Sequence, residues 1–173
     1  MVVATWVFAV ALTVPRAQSA GNGDYGFFTA IADRLRAGDA LYVEVWDNKD
    51  PLLFYSIASA RTFGVPGAWA LEILWILVIS IAAFAIARQA ALGRRLSCIV
   101  AFAFVPWIVL GYPYFMGTSH LPGVALTLGV LALQGARRPL VAGIALGLIV
   151  FFKLILLPLA LLVVVVLAVA SRR

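Results

Sequence analysis

The residues of this chain that could carry out chemistry are concentrated in one polar segment and one short polar turn. The segment contains Asp24, Glu44, Asp47 and Lys49, and the turn contains His120. A positioned carboxylate can remove the proton from an attacking hydroxyl group. A nearby cation can stabilise the negative charge that develops on a departing phosphate. Acids beside a lysine therefore suit group transfer to a hydroxyl from a phosphate-bearing donor.

Each of these residues also has a structural interpretation. Asp24 belongs to the residue types that best cap a helix N-terminus. Lys49 could be a lysine whose alkyl stem rests on apolar surface while its ammonium group reaches water. Glu44 and Asp47 could orient an acceptor or bind a cation, or they could be solvated loop acids. His120 could contact substrate or simply be exposed. We expect no protein-bound cofactor, and carboxylates alone do not specify a metal ion.

The stretch after Asp24 has the periodicity of a helix. Phe28, Ile31 and Leu35 recur at helical spacing and form one apolar stripe, and Gly38 follows where a C-terminal cap belongs. The pattern predicts an amphipathic helix of about three turns. We expect this helix to lie along a membrane surface.

A second helix is predicted to begin just after Asp50. Asp50 is a good N-cap, Pro51 suits the first helical position, and Gly64 can end the helix. The intervening residues 41–49 are aromatic and rich in ionisable groups. The segment thus predicts two interfacial helices joined by a charged connector, an arrangement that suits a substrate that is half lipid and half polar.

The composition requires a solvent other than water for much of the chain. Of 173 residues, 65% are hydrophobic and 12% are charged, whereas a soluble domain has about half and about a quarter. A lipid bilayer is the expected partner. The net charge of +6 arises from short basic pairs between apolar runs, which excludes nucleic acid as a partner. The single cysteine, Cys98, has no metal-ligand spacing.

The apolar runs predict an all-α, polytopic transmembrane helical bundle. They cover residues 2–15, 68–87, 98–110, 122–133 and 140–170. The last run is too long for one upright span of about 20 residues. We interpret it as two short passes that break near Lys153, with Pro158 distorting the second. One tilted span is the alternative.

The basic residues predict the orientation of the bundle. If the last run makes two passes, seven arginines fall on the same side of the membrane. The positive-inside rule makes that side cytoplasmic. These arginines are Arg88, Arg94, Arg95, Arg137, Arg138, Arg172 and Arg173. The loop of residues 16–67 is then extracytoplasmic, and it holds five basic and six acidic residues. These features predict a multi-pass protein of the plasma (inner) membrane.

Two further features have alternative interpretations. Residues 2–20 could be a cleaved signal peptide, but no basic region precedes the apolar run, so we expect Met1 to lie inside a first span. Glu72 lies about one turn inside the second apolar run. An acid at that depth is a functional candidate, but its place only about one turn from the outer end of the span favours exposure at the membrane interface.

The polar segment resembles the first external loop of GT-C glycosyltransferases. Asp24 opens the first helix, Gly38-Asp39 closes it, and Leu41-Tyr42 and the run WDNKDPL over residues 46–52 follow. The run AGIALGLIVFFK over residues 142–153 is similar to a glycine-rich span of these proteins that ends in lysine. Protein O-mannosyltransferases and the aminoarabinose transferase of lipid A are the most similar members. Residues 1–173 would then form the N-terminal part of a GT-C-like transmembrane domain.

The resemblance implies a function and two roles. Such enzymes move a sugar from a polyprenyl-phosphate carrier to a glycan, lipid or protein acceptor at the extracytoplasmic face. Asp24 matches the aspartate that acts as the base, and Lys49 matches the lysine that contacts the donor phosphate. Asp50 departs from the pattern, because the family often has proline there, and its carboxylate must point away from the phosphate. Family members are also generally longer. A transporter subunit and a non-catalytic scaffold are the alternatives.

Overall fold

The computed structural model describes residues 4, 7, 11, 24–111 and 120–170. Every element longer than a single bridge within these residues is helical, which confirms the all-α class. The helices are α1 (Asp24–Ala37), α2 (Pro51–Arg61), α3 (Gly64–Gln89), α4 (Arg94–Gly111), α5 (His120–Gly135), α6 (Pro139–Lys153), a 3-10 turn (Leu154–Leu156) and α7 (Leu157–Ala170).

Helices α1 and α2 and the connector between them form a unit with its own core, which we call the loop unit (residues 24–61). Its buried members are Phe28, Ile31, Ala32, Leu41, Val45, Leu53, Phe54, Ile57 and Ala58. The apolar stripe of α1 therefore packs inside the protein, against α2 and the connector. The stripe is therefore not the face through which α1 could contact a membrane, and the placement of α1 along a membrane surface stays a prediction.

Gly38 ends α1 as predicted. Its φ of 107° is a left-handed conformation that glycine adopts without a Cβ penalty. The Gly38 amide donates to the carbonyl of Leu35 at 3.1 Å, and the Asp39 amide donates to that of Arg34 at 3.1 Å. These bonds satisfy carbonyls at the end of the helix and turn the chain into the connector.

Helix α2 begins at Pro51 as predicted but ends earlier than expected. It stops at Arg61, and Gly64, with a φ of 71°, begins α3 instead of ending α2. The two helices approach closely at this corner. A Cβ on Gly67 would lie 2.0 Å from the carbonyl oxygen of Ala60, so only glycine fits there.

Helices α3 and α5 run in the same direction in the bundle. Near their N-terminal ends, Ile73, Ile76 and Ile79 of α3 share a buried cluster with Leu121 and Ala125 of α5. Near their C-terminal ends, the Gln89 side-chain amide donates to the carbonyl of Ala132 at 2.8 Å. Helix α4 returns the chain between them and packs against α3.

The chain reverses after α6, and the break near Lys153 is where the sequence predicts it. Helix α6 ends at Lys153, and Val164 of α7 packs against the buried pair Val130 and Ile149. If α6 continued as a straight helix, Val164 would lie about 22 Å beyond Ile149 along the helix axis, too far for contact. Pro158 is the second residue of α7, where proline is tolerated. The expected distortion within a second pass is therefore replaced by a bend before it.

Among the described residues, one helix is long and apolar enough to cross a bilayer, the 26-residue α3. Helices α5 and α6 are apolar but shorter. The loop unit and the Lys153 end of α6 lie at one end of the bundle, because α2 packs against α6. The turns that carry Arg88, Arg94, Arg95, Arg137 and Arg138 lie at the other end. Arg172 and Arg173 are outside the described residues, as are residues 12–23.

Candidate functional site

The N-terminal ends of α1 and α2 lie side by side. The rings of Phe28 and Phe54, each about one turn into its helix, meet edge to face with centroids 5.8 Å apart. Farther along, Asp33 of α1 pairs with Arg61 of α2. Both contacts require parallel helices. The backbone of Asp24, which opens α1, therefore lies at the same end as Asp50 and Pro51. Two adjacent helix N-termini present partial positive charge.

The connector returns the chain between these parallel helices, and its two acids hold it in shape. Glu44 accepts a hydrogen bond from the backbone amide of Ala40 at 2.7 Å. Asp47 accepts one from the backbone amide of Lys49 at 2.8 Å. Such local bonds fold a loop back on itself. Both were predicted as substrate-binding candidates, and each has a structural task in the connector.

Lys49 is held from both sides of its backbone. The Asp47 carboxylate accepts a hydrogen bond from the Lys49 amide, and the Tyr42 hydroxyl donates one to the Lys49 carbonyl. Tyr42 has a φ of 66°, a left-handed conformation that costs about 1 kcal/mol or more in a non-glycine residue. Burial raises the pKa of Tyr42, and the nearby carboxylates of Asp50 and Asp47 raise the pKa further. The Lys49 ammonium donates to the side-chain oxygen of Asn48 at 2.8 Å.

Lys153 joins this site from α6, on which α2 packs. It is half-buried at the last position of α6, and the charges of Lys49 and Asp50 both act on it. Its neighbour Phe152 packs edge to face on Trp75 of α3 with ring centroids 5.4 Å apart. Sequence reasoning missed Lys153 as a site residue. The available signal was a single cation at the end of a long apolar run.

The close packing of α5 fixes the position of Lys153. A Cβ on Gly123 would lie 3.1 Å from Cβ of Lys153 and 2.5 Å from Cδ1 of Leu156. Glycine at position 123 therefore lets α5 approach the point where α6 ends.

Asp50 does not act as the predicted cap. It occupies the N-cap position of α2 with φ −73° and ψ 146°, but its side chain makes no capping hydrogen bond. Its charge instead acts on Lys153 and Tyr42. The charges of Lys49, Asp50 and Lys153 are thus near enough to interact electrostatically. The expectation that the Asp50 side chain caps α2 was wrong, because it makes no capping hydrogen bond.

The remaining predicted residues lie at the same end. Asp24 is the first residue of α1, and the structure describes only its backbone. His120 is exposed at the first position of α5. The turn that precedes it, residues 112–119, is outside the described residues. How closely His120 or the Asp24 carboxylate approaches Lys49 therefore stays a prediction.

Glu72 is buried, in contrast to the interfacial exposure that we favoured from the sequence. Only 5% of it is exposed, about two turns into α3. It lies on the same helical face as Ile76 and Ile79, which are packed against α5. The packing of α5 on this face covers a side chain that would otherwise reach the surface.

In residues 24–111 and 120–170, no group of three or more histidine, cysteine or acidic residues could hold a metal ion. No family model, curated protein or solved structure matches this chain.

Proposed function

We propose that this protein is a membrane glycosyltransferase, or part of one, that moves a sugar from a polyprenyl-phosphate carrier to an acceptor at the extracytoplasmic face. The observation that carries the proposal is the packing of α2 on α6, which places Lys153 at the end of the bundle where Lys49 precedes α2. Two cations next to two helix N-termini favour the binding of an anion. The phosphate of such a donor is an anion of this kind. The resemblance of the loop to GT-C enzymes gives the chemistry.

The membrane placement belongs to this proposal. The supporting observations are the apolar composition, the length of α3 and the segregation of charge along the bundle. All seven acidic residues of the chain occur at or before Glu72, and basic residues alone occur after it. If the turns that carry Arg88, Arg94, Arg95, Arg137 and Arg138 lie in the cytoplasm, the loop unit and Lys153 lie on the extracytoplasmic side. The passes would then be α3, α4, α5, α6 and α7, preceded by the apolar run of residues 2–15, which lies mostly outside the described residues and stays a prediction from the sequence.

In the proposed reaction, the Asp24 carboxylate accepts the proton of an acceptor hydroxyl as its oxygen attacks the anomeric carbon. The bond between that carbon and the phosphate oxygen breaks, and the phosphate keeps the electron pair. Lys49 and Lys153 stabilise the added charge on the phosphate. Asp24 then releases the proton to water. Asp50 offsets part of the positive charge, so the site binds phosphate without accumulating two uncompensated cations.

Transfer of a radiolabelled sugar from polyprenyl phosphate, in membranes containing the full chain, tests the reaction. Asp24→Asn should reduce transfer at least about 100-fold, since general base catalysis contributes about 10²–10⁴-fold. Asp33→Asn is the matched control, because it removes an acid about 13 Å farther along the same helix. Equal transfer by Asp24→Asn and the unaltered chain would remove Asp24 as the base. Absence of sugar transfer by the unaltered chain would contradict the proposed enzymatic activity.

Cysteine labelling tests the placement separately. After Cys98→Ser, the substitutions Val43→Cys and Ala136→Cys put single thiols at exposed positions at the two ends. A membrane-impermeant maleimide added to intact cells should label position 43 only. Labelling of position 136 alone would invert the orientation and overturn the proposal.

One observation favours a transporter as the second candidate function. Glu72 is a buried acid within the most apolar long helix, and transporters place ionisable groups at such depths. Glu72→Gln separates the two candidates. It should leave sugar transfer within about twofold if the enzyme is correct, because Glu72 lies two turns below the loop. Loss of ion-driven solute uptake, with no sugar transfer in the unaltered chain, would support the transporter.

A further inference from the structure

The end of the bundle opposite the loop unit carries an arginine patch, which we define as Arg88, Arg94, Arg95, Arg137 and Arg138. All five are exposed. The nearest acid along α3 is Glu72, which is 16 positions before Arg88 and therefore about 24 Å away along the helix. No acidic residue follows Glu72 in the chain. The patch therefore has five positive charges and no carboxylate of its own.

The fold brings the two basic turns together through one specific contact. Gln89, beside Arg88, donates its side-chain amide to the carbonyl of Ala132 at 2.8 Å. Gly135 makes room for it, because a Cβ there would lie 1.9 Å from Oε1 of Gln89. The turn between α3 and α4 is thus fixed beside the turn between α5 and α6.

The second turn is itself tightly built. Arg137 has a φ of 57°, and its amide donates to the carbonyl of Gln134 at 2.9 Å. The amide of Arg138 donates to the carbonyl of Leu133 at 2.9 Å. In the first turn, the Arg88 guanidinium donates to the carbonyl of Leu92 at 2.8 Å. Both turns therefore present their arginines from ordered backbone.

Exposed apolar side chains adjoin the basic pairs. Leu96 follows Arg94 and Arg95 and is 47% exposed, and Leu140 is 77% exposed two residues after Arg138. Ile99, one turn beyond Leu96, is also exposed. We call Leu96, Ile99 and Leu140 the apolar flank. Charged groups beside this flank match a ligand with a charged head and an apolar tail. A nucleic acid or a free phosphate ion would leave the apolar flank uncovered.

We propose that the arginine patch binds the phosphate headgroup of an anionic phospholipid, whose acyl chains lie on the apolar flank. The inference rests on the membrane placement proposed above and is independent of the sugar-transfer chemistry. Guanidinium groups bind phosphate oxygens in pairs. Each basic residue near an anionic membrane surface strengthens binding by about fivefold.

Electron paramagnetic resonance of spin-labelled lipids tests the proposal on the full chain reconstituted in phosphatidylcholine vesicles. Spin-labelled phosphatidylglycerol should associate with the protein several-fold more strongly than spin-labelled phosphatidylcholine, and added salt should reduce the difference. The double variant Arg137→Gln, Arg138→Gln should bring the ratio close to one. Gln89→Ala keeps every charge of the patch and should lower the ratio partially, because it releases the contact between the turns.

The matched control is Arg34→Gln with Arg36→Gln, which removes the same charge from the opposite end. It should leave the ratio unchanged. Equal association of the two lipids with the unaltered protein would overturn the proposal, and so would an equal loss of selectivity in the control. An unchanged ratio in Gln89→Ala would overturn a site built from both turns. If neither lipid were immobilised, the membrane placement itself would fail, which distinguishes the two failures.

Discussion

Asp33 and Arg61, which are 28 residues apart in the chain, meet through two hydrogen bonds of 2.8 and 2.7 Å. The pair joins the C-terminal halves of α1 and α2, as Phe28 and Phe54 join their N-terminal halves. Hydrogen bonding from Arg61 lowers the pKa of Asp33 below its ordinary value, although partial burial of the carboxyl opposes the shift. Bidentate geometry of this kind is the stronger form of ion pair.

Asp33→Asn should lower the stability of the loop unit at neutral pH. The carboxylate remains 44% exposed, so solvent screening limits the loss to about 1 kcal/mol. Because the folded-state pKa is depressed, the contribution is complete above the unfolded-state pKa of about 3.9 and is lost as the pH falls through the folded-state value. Unfolding in detergent from pH 7 to pH 3 measures this. The difference between variant and unaltered chain should shrink toward the acid end. A difference that stays constant over this range would contradict the ion pair.

Tyr42→Phe should make the backbone at Lys49 less firmly held, because it removes the hydroxyl that donates a hydrogen bond to the Lys49 carbonyl. In a transfer assay we expect KM for the lipid-linked donor to rise severalfold while kcat changes less than twofold. The raised pKa of Tyr42 gives a second readout. Its stabilising contribution is complete below the unfolded-state pKa of about 10 and is lost as the pH rises through the folded-state value. The unaltered chain should therefore lose stability in this alkaline range more steeply than Tyr42→Phe. Identical alkaline profiles would contradict the role of the hydroxyl.

Lys153→Gln should weaken donor binding by about 10-fold, since it removes one of two cations beside the proposed phosphate site. Lys153→Arg keeps the charge and should retain most of the binding. The control Arg36→Gln removes an exposed charge near the C-terminal end of α1, outside both proposed phosphate sites. Binding of a fluorescent polyprenyl phosphate to the purified protein measures the effect. Equal loss in Lys153→Gln and Arg36→Gln would indicate a general effect of net charge.

Gly123→Ala should disturb the position of Lys153. A methyl group at Gly123 would meet Cδ1 of Leu156 at 2.5 Å and Cβ of Lys153 at 3.1 Å, and such overpacking typically costs about 1–3 kcal/mol. Gly129→Ala, in the same helix with nothing within 4 Å, is the control. It should be neutral or slightly stabilising, because alanine favours helix by up to about 1 kcal/mol over glycine. Thermal unfolding compares the two, and equal effects would contradict the close contact.

The helical elements and their ends were largely predictable from the sequence because their signals are local. Gly38 ends α1 through its own backbone conformation, and Pro51 begins α2 through its fixed φ. The break after Lys153 was also predicted, from the length of the apolar run. The ends that the sequence misplaced depend on neighbouring helices. At the corner where Gly64 begins α3, Gly67 packs closely on the end of α2 at Ala60.

The arrangement of the candidate site could not be predicted to the same degree. The sequence indicated the polar loop and Lys49, but Lys153 is more than 100 positions away, and only the packing of α2 on α6 brings it near. The burial of Glu72 likewise depends on α5. Asp50 has the residue type of a cap, yet its side chain makes no capping hydrogen bond. Long-range contacts of this kind leave no trace in local residue spacing.

The separation of acidic and basic residues along the bundle has a consequence for biogenesis. In the proposed orientation, the five arginines of one end lie on the negative side of an energised membrane. Carrying one positive charge across it against the potential costs about 2.3 kcal/mol per 100 mV. The electric field that the cell maintains therefore opposes inverted insertion, so that collapse of the field by an uncoupler should raise the fraction of chains that enter the membrane the wrong way round.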